Sequence, residues 1–396
     1  MISTAHLIKT NYIQWLVFAN AAIIPLNGVI ALSRLLMALF LVSGIFRLVR
    51  NNTLNAQAWP IWLWFSIPFC SLFWSQDLDV SIGNLSHDVI YPCVFFTLGA
   101  YALRESERVK VIEGFLCGMF AVTLITLYRV FSHSIVDPVE MQPLNHGIGE
   151  YSTIIVLAIS SLTFFYRKWN LALLLGFFVV FLLGLLVTQN RMGWLSLISV
   201  VIALGLICWI KAPTHEKIRV LIFTIFLSAI LFAAYYFIAS GKSISAFERD
   251  LQGNSAILTL FHNERFEMWK FWLGEGLKNP WLGFGFGYEM TQSLYAGIKN
   301  PILDLVNIHA HNVFVDYFLQ LGLLGLSVFI FAMSWLIARA ISLMKDQDNR
   351  IDGVALLLIV VAMLSKSLTD DFFTRTPLLA FWLMVGVLLG PSLRMR

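Results

Sequence analysis

The chain has 396 residues, of which 59% are hydrophobic and only 13% charged, with mean hydropathy +0.78; soluble globular domains carry roughly 25% charged residues, so that class is excluded. It reads as an all-α integral membrane protein. Its formal net charge of +4 says little, because in a membrane protein the position of each Lys and Arg carries the information, and nothing in the sequence resembles a nucleic-acid-binding module.

A bilayer core needs about 20 apolar residues per helix. Twelve candidate spans follow in chain order, near 11–28, 30–48, 58–74, 87–103, 110–131, 150–166, 170–188, 193–210, 218–239, 313–339, 352–368 and 376–393. No small-x-small cleavage site follows the first, which is therefore expected to be a retained span and not a signal peptide. Cys70, Cys93, Cys117 and Cys208 all fall in apolar segments without metal-ligand spacing, which indicates neither a disulfide framework nor a zinc site.

Short-loop Lys and Arg residues set orientation. With Lys9 on the cytoplasmic side, the inner loops carry Arg47 and Arg50, Arg104, Arg108 and Lys110, Arg167 and Lys168, Lys211, Lys217 and Arg219, then Arg339, Lys345 and Arg350, and finally Arg394 and Arg396. The outer loops at 75–86 and 132–149 hold no Lys or Arg. Both termini are thus expected inside. Outer arginines that topology does not require are Arg34, Arg129, Arg191, Arg265 and Arg375; each is either a headgroup-snorkelling side chain or part of a site.

One large hydrophilic region, 241–311, separates spans nine and ten and divides the chain into 1–240, 241–311 and 312–396. Within it Leu258, Phe261, Phe266, Trp269 and Trp272 recur at approximate helical spacing, predicting an amphipathic helix from Ala256 to Leu277 on the membrane or against the bundle. Pro280, Gly283, Gly285 and Gly287 then demand a turn. The loop's position after span nine and the lack of an internal repeat speak against a transporter built from matching halves.

Three places offer chemistry. In "TQNRMGW" a hairpin needs only Asn190 and Gly193, so Arg191 is surplus to the turn; its planar fork suits phosphate oxygens, the alternative being snorkelling. Arg265, near the start of the loop helix, is either another phosphate ligand or a solvated charge beside Glu264 and Glu267. The third is "NIHAHNVFVDYFLQLGLLGL", residues 307–326. His309 and His311 share a face only on extended backbone and diverge by about 200° on a helix. A third ligand at helical spacing is missing, so no metal site is expected. An imidazole, with an ordinary pKa of about 6.5, can take a proton, or it can sit at the interface without a task. Asn312 stands where its side chain can cap a helix, Asp316 follows one turn later, and Gly322 and Gly325 permit a break or close packing within the membrane. In "KSLTDDFFTR", Lys366, Asp370, Asp371 and Arg375 either line a polar cavity together with Asp316 or include an expected structural i,i+4 pair of Lys366 and Asp370.

These residues resemble the O-antigen ligase and polymerase superfamily of bacterial envelope glycosyltransferases. The ligase pattern of His, a small polar residue, nine residues, Gly, two residues and Gly is met by His311, Asn312, Gly322 and Gly325. The broader signature is met by Arg265, Trp269, Pro280, Gly283 and Gly285, with Arg191 in the short outer turn. The resemblance implies a GT-C-like fold of about twelve helices with a large periplasmic loop. It further implies an inner-membrane enzyme that moves O-antigen polysaccharide from undecaprenyl pyrophosphate to a sugar hydroxyl of lipid A–core on the periplasmic face, without metal, ATP or cofactor. His311 is then the base, Arg191 and Arg265 hold the pyrophosphate, and His309, Asn312 and Asp316 support. Asp77 and Asp79 in "SQDLDV" are a reservation to the metal-free reading, yet their loop holds no further ligand. Alternatives are an O-antigen polymerase, a protein oligosaccharyltransferase, whose members usually carry further C-terminal sequence where this chain stops after span twelve, and, from another class, a polysaccharide or lipid transporter.

Overall fold

The computed structural model describes residues 4–25, 39, 42–47, 56–133, 147–166, 168–188, 190–211, 213–214, 216–222, 224–225, 227–228, 231, 264–295, 310–368 and 373–394. These residues form helices and turns, with no β-strand among them. In order they are α1 (Thr4–Ile23), α2 (Trp59–Ser71), α3 (Leu78–Leu85), α4 (Tyr91–Thr97), α5 (Glu105–His133), α6 (Ile148–Leu162), α7 (Leu171–Thr188) and α8 (Arg191–Lys211). There follow α9 (Glu264–Gly276), α10 (Met290–Leu294), α11 (Val313–Leu343), α12 (Arg350–Lys366) and α13 (Arg375–Arg394). Wide π turns at Ser86–Ile90 and Leu98–Ala102 flank α4.

Among the described residues, five helices are long and apolar enough to cross a membrane: those of α5, α7, α8, α11 and α13. The protein is thus an all-α, multi-span membrane protein. Of the other expected spans, most of those over 30–48 and 218–239 lies outside the described residues.

α13 occupies the middle of the bundle, with Trp382 against Phe65, Phe96 and Phe381. Around it α12 packs on α6, α8 and α11, and α1 packs on α5. Small residues permit the closest approaches: a Cβ on Gly386 would lie 2.4 Å from the Phe96 carbonyl oxygen. At one end of the bundle lies a buried charge cluster. Arg108, fully buried, bonds Asp352 at 3.1 Å, while Arg47 forks onto Glu107 at 2.6 and 3.0 Å. Such charges tolerate burial only when paired.

The opposite end, where α11 and α13 begin and α12 finishes, carries the turns that sequence singled out. α9 lies against α11, and its buried face is Met268 and Trp272, whereas Phe266 is exposed. The expected amphipathic helix therefore exists over 264–276 with its apolar side turned on α11; residues 256–263 lie outside the described residues.

Candidate functional site

The site begins with a broken helix. In α11, Gly322 takes φ 63° and ψ −165°, a conformation essentially confined to glycine. In an uninterrupted helix the carbonyls of Leu319 and Gln320 would accept from the N–H groups of Leu323 and Leu324. Here both partners are exchanged for the glycine turn that follows α9. Phe284 N–H donates to Leu319 O at 3.0 Å and Gly285 N–H to Gln320 O at 2.8 Å. In return, Leu323 N–H reaches Pro280 O at 2.8 Å and Leu324 N–H reaches Trp281 O at 3.2 Å. The Gln320 side chain adds a bond from Gly287 N–H at 3.1 Å. Two helical bonds are thus replaced by four across the junction, which keeps these four backbone groups paired in an apolar setting.

Only glycine fits this contact. A Cβ on Gly322 would stand 2.3 Å from the Trp281 carbonyl carbon, and one on Gly283 would stand 2.5 Å from that of Gln320. The far side of the turn rests on the α2–α3 connection and on α3 itself, where Trp74 Nε1–H donates to Leu282 O at 2.7 Å and Ser81 Oγ–H to Phe286 O at 2.6 Å. Asp77, which caps α3 through Val80 N–H at 3.1 Å, also takes the Ser293 hydroxyl of α10. Ser293 first and Val80 next hold the Asp77 carboxyl below its usual range. That acid of "SQDLDV" is therefore a helix cap.

About three turns before the break stands the histidine motif. His311 adopts φ 51°, rare for a residue with a side chain, and is half-buried. Its neighbours are pinned on both sides. Ala310 O accepts from Trp269 Nε1–H of α9 at 2.8 Å, while Ala310 N–H donates to Asp316 Oδ1 at 2.8 Å. Asn312 caps α11, its Oδ1 taking Phe314 N–H at 2.9 Å and Val315 N–H at 3.3 Å, and its Nδ2 donates to Leu368 O at 2.7 Å. Asp316 is 1% exposed, so its carboxylate belongs to the motif's interior scaffold.

The end of α12 links this motif to the Arg191 turn. Val313 N–H donates to Ser367 O at 3.0 Å. One residue earlier, Lys366 is wholly buried and its ammonium donates to Asn190 Oδ1 at 2.8 Å. The same Asn190 oxygen takes Gly193 N–H at 3.0 Å and so caps α8, which starts at Arg191. Lys366 therefore engages a residue 176 positions away; Asp370, its expected i,i+4 partner, lies outside the described residues along with Asp371, His309 and Arg34.

Of the expected site residues, His311, Asn312 and Asp316 come together in one turn. Arg191 and Arg265 are placed by their backbones alone, at the first turns of α8 and α9; their side chains lie outside the described residues. Arg129 is exposed on α5 and Arg375 is exposed at the start of α13. Lys366 and Trp269 are the members whose tying role sequence reasoning did not assign. Their signals were a lysine in an apolar span and an indole on a polar helix.

Residues 176–330 match the O-antigen ligase family. That stretch contains Arg191, Arg265, the glycine turn, His311 and both glycines of α11. The chain is also similar to the ComP-specific O-oligosaccharyltransferase of Acinetobacter baylyi, 26% identical over 254 residues, which cover 61% of this chain and 42% of the relative. The chain thus spans less than half the length of that relative. Over residues 176–330 the chain is thus similar to the O-antigen ligase family, within an all-α, multi-span membrane protein.

Proposed function

We propose that the protein is an O-antigen ligase of the bacterial inner membrane, moving polysaccharide from undecaprenyl pyrophosphate to a sugar hydroxyl of lipid A–core at its periplasmic face. The observation that carries this reading is the convergence of three chain segments on the histidine turn: α9 with Arg265 through Trp269, α8 with Arg191 through Asn190 and Lys366, and α11 itself. Placing the paired charge cluster of Arg47 and Arg108 at the far end supports a cytoplasmic position for that end.

In the proposed reaction His311 takes the proton of the acceptor hydroxyl, whose oxygen attacks the anomeric carbon in line and inverts it. The bond from that carbon to the phosphate oxygen breaks, and undecaprenyl pyrophosphate leaves with the electron pair. Arg191 and Arg265 hold the pyrophosphate and stabilise the charge that grows on it. Asn312 and Asp316 fix the turn that presents the imidazole, with His309 as a further supporting residue. No metal or cofactor takes part in this scheme.

The similarity to an O-oligosaccharyltransferase favours a second reading, transfer to a protein hydroxyl, and a polymerase would use the same donor with another lipid-linked glycan. A deletion strain separates them on a lipopolysaccharide gel. A ligase leaves core without polymer while lipid-linked polymer accumulates; a polymerase leaves a single repeat on the core; unchanged lipopolysaccharide with loss of a glycoprotein identifies protein transfer.

Two further results are expected. Arg191→Lys retains charge but loses the two-pronged fork, and should lower donor use about tenfold; undiminished use would count against the clamp. Lys366→Met removes the donor that holds Asn190, and a shift of the Arg191 turn by about 1 Å is worth up to about a hundredfold in rate. Transfer in membranes with matched protein levels should fall at least tenfold, with Lys366→Gln, which keeps a donor, recovering part of it.

A further inference from the structure

A half-open cavity of about 410 Å³ lies beside α3, lined by none of the residues assigned to catalysis or donor binding above. Its volume is within the roughly 300–1,000 Å³ of small-molecule sites. Asp79, Asn84, His87 and Asp88 supply one wall, Tyr288 and Glu289 the second, and Arg375 the third. Three segments far apart in sequence are therefore held together around it.

The holding is specific. Asp88, 8% exposed, accepts the Arg375 backbone N–H at 3.0 Å through Oδ1, and Arg375 is kept at φ 48°. A residue with a side chain in that region costs of order 1–3 kcal/mol, and such strain concentrates at ligand sites. Arg375 is otherwise little restrained, its guanidinium standing 4.0 Å from Glu150 and 63% exposed. On the second wall, Gly287 anchors Tyr288 through its bond to Gln320 of α11. Phe373, two residues before Arg375, packs edge-on against Tyr317 and Phe329 of the same helix. The cavity thus shares its support with the helix that begins after His311.

Its chemistry selects a ligand class. Asp79, Asp88 and Glu289 outnumber Arg375 and His87 and so disfavour phosphate or pyrophosphate, and carboxylates set into the walls leave no unbroken apolar face for an acyl chain. No group of three His, Cys, Asp or Glu side chains is gathered for a metal among the described residues. What fits is a small hydroxyl-rich ring. Carboxylates accept from neighbouring hydroxyls, Arg375 donates to ring and hydroxyl oxygens, and the Tyr288 ring can cover the apolar face of a sugar.

We propose that this cavity is a saccharide subsite for a neutral or amino sugar of the glycan substrates. The assignment to a substrate rests on the glycan-transfer reading; the binding itself does not, and the two are tested apart. Full-length protein in nanodiscs is titrated with D-glucose, D-glucosamine and inorganic phosphate, read by saturation-transfer NMR. Glucosamine is expected to bind more tightly than glucose, phosphate not at all, and Asp79→Asn and Glu289→Gln are each expected to weaken glucosamine about fivefold, the loss of one charge-assisted hydrogen bond. His311→Ala should bind as wild type. Absence of sugar binding, binding of phosphate in its place, indifference to both carboxamide variants, or loss of binding in His311→Ala would each overturn the subsite. In the transfer assay, Asp79→Asn should raise KM for whichever of acceptor or donor sits there and leave kcat unchanged, and that KM names the source of the sugar. Failure of transfer altogether would reject the enzyme reading and leave the binding result standing.

Discussion

His311→Ala is expected to lower glycan transfer by about 10²–10⁴-fold, the range contributed by a positioned general base, with the protein still folded and in the membrane. The turn makes this prediction sharp, because the backbone on both sides of His311 is fixed by groups outside the imidazole: Trp269 and Asp316 on Ala310, and Leu368 and the α11 amides on Asn312. Removing the side chain therefore removes chemistry more than structure. Alanine tolerates the positive φ of this position less well than asparagine does, so His311→Asn serves as the companion variant. It should match the alanine in lost transfer and exceed it in thermal stability. Transfer in His311→Asn at the wild-type rate would remove the base from the mechanism.

The second large effect is expected at Gly322. Gly322→Ala places a methyl 2.3 Å from the Trp281 backbone at φ 63°, a conformation that alone costs of order 1–3 kcal/mol. Neither side can yield, since both are backbone held by the exchanged hydrogen bonds. The turn must separate from α11, and with it go the support of Gln320 and the seat of α9. Thermal unfolding in detergent should shift down by several degrees, and transfer should fall below detection. Gly176→Ala is the control, for a Cβ there meets nothing within 4 Å. A Gly322→Ala protein with unaltered melting would contradict the exchange.

Much of the architecture was legible in advance because its causes are local. Apolar length marked five membrane-length helices among the twelve expected spans, Asn312 marked the start of α11, and the two glycine groups marked a turn and a break. That the turn enters the break was not legible. Backbone-to-backbone bonds leave no trace in sequence except glycine, and a solitary turn or a close helix crossing asks for glycine equally. Lys366 was obscured for a related reason: Asp370 offered a partner one turn away, whereas Asn190, which takes its ammonium, is brought near only by packing of α8 on α12. Phe266 was assigned to an apolar face by its spacing, but α9 docks on α11 through Met268 and Trp272, and the docking partner chose the face. Asp77 looked like half of a ligand pair; its position before "LDVS" was equally the signature of a cap, and that is the role it fills.

The exchanged bonds also bear on how the chain is made. Residues 280–287 leave the ribosome before α11, so the turn is already made when the helix that needs it arrives. Until the two meet, α11 carries a glycine-weakened segment whose amides and carbonyls have no water to turn to. Completion of that span and docking of the loop are consequently one assembly step. A truncated chain ending within α11, or one in which 280–287 is tethered away, should remain a substrate for membrane quality control whatever the apolar length of its last helix.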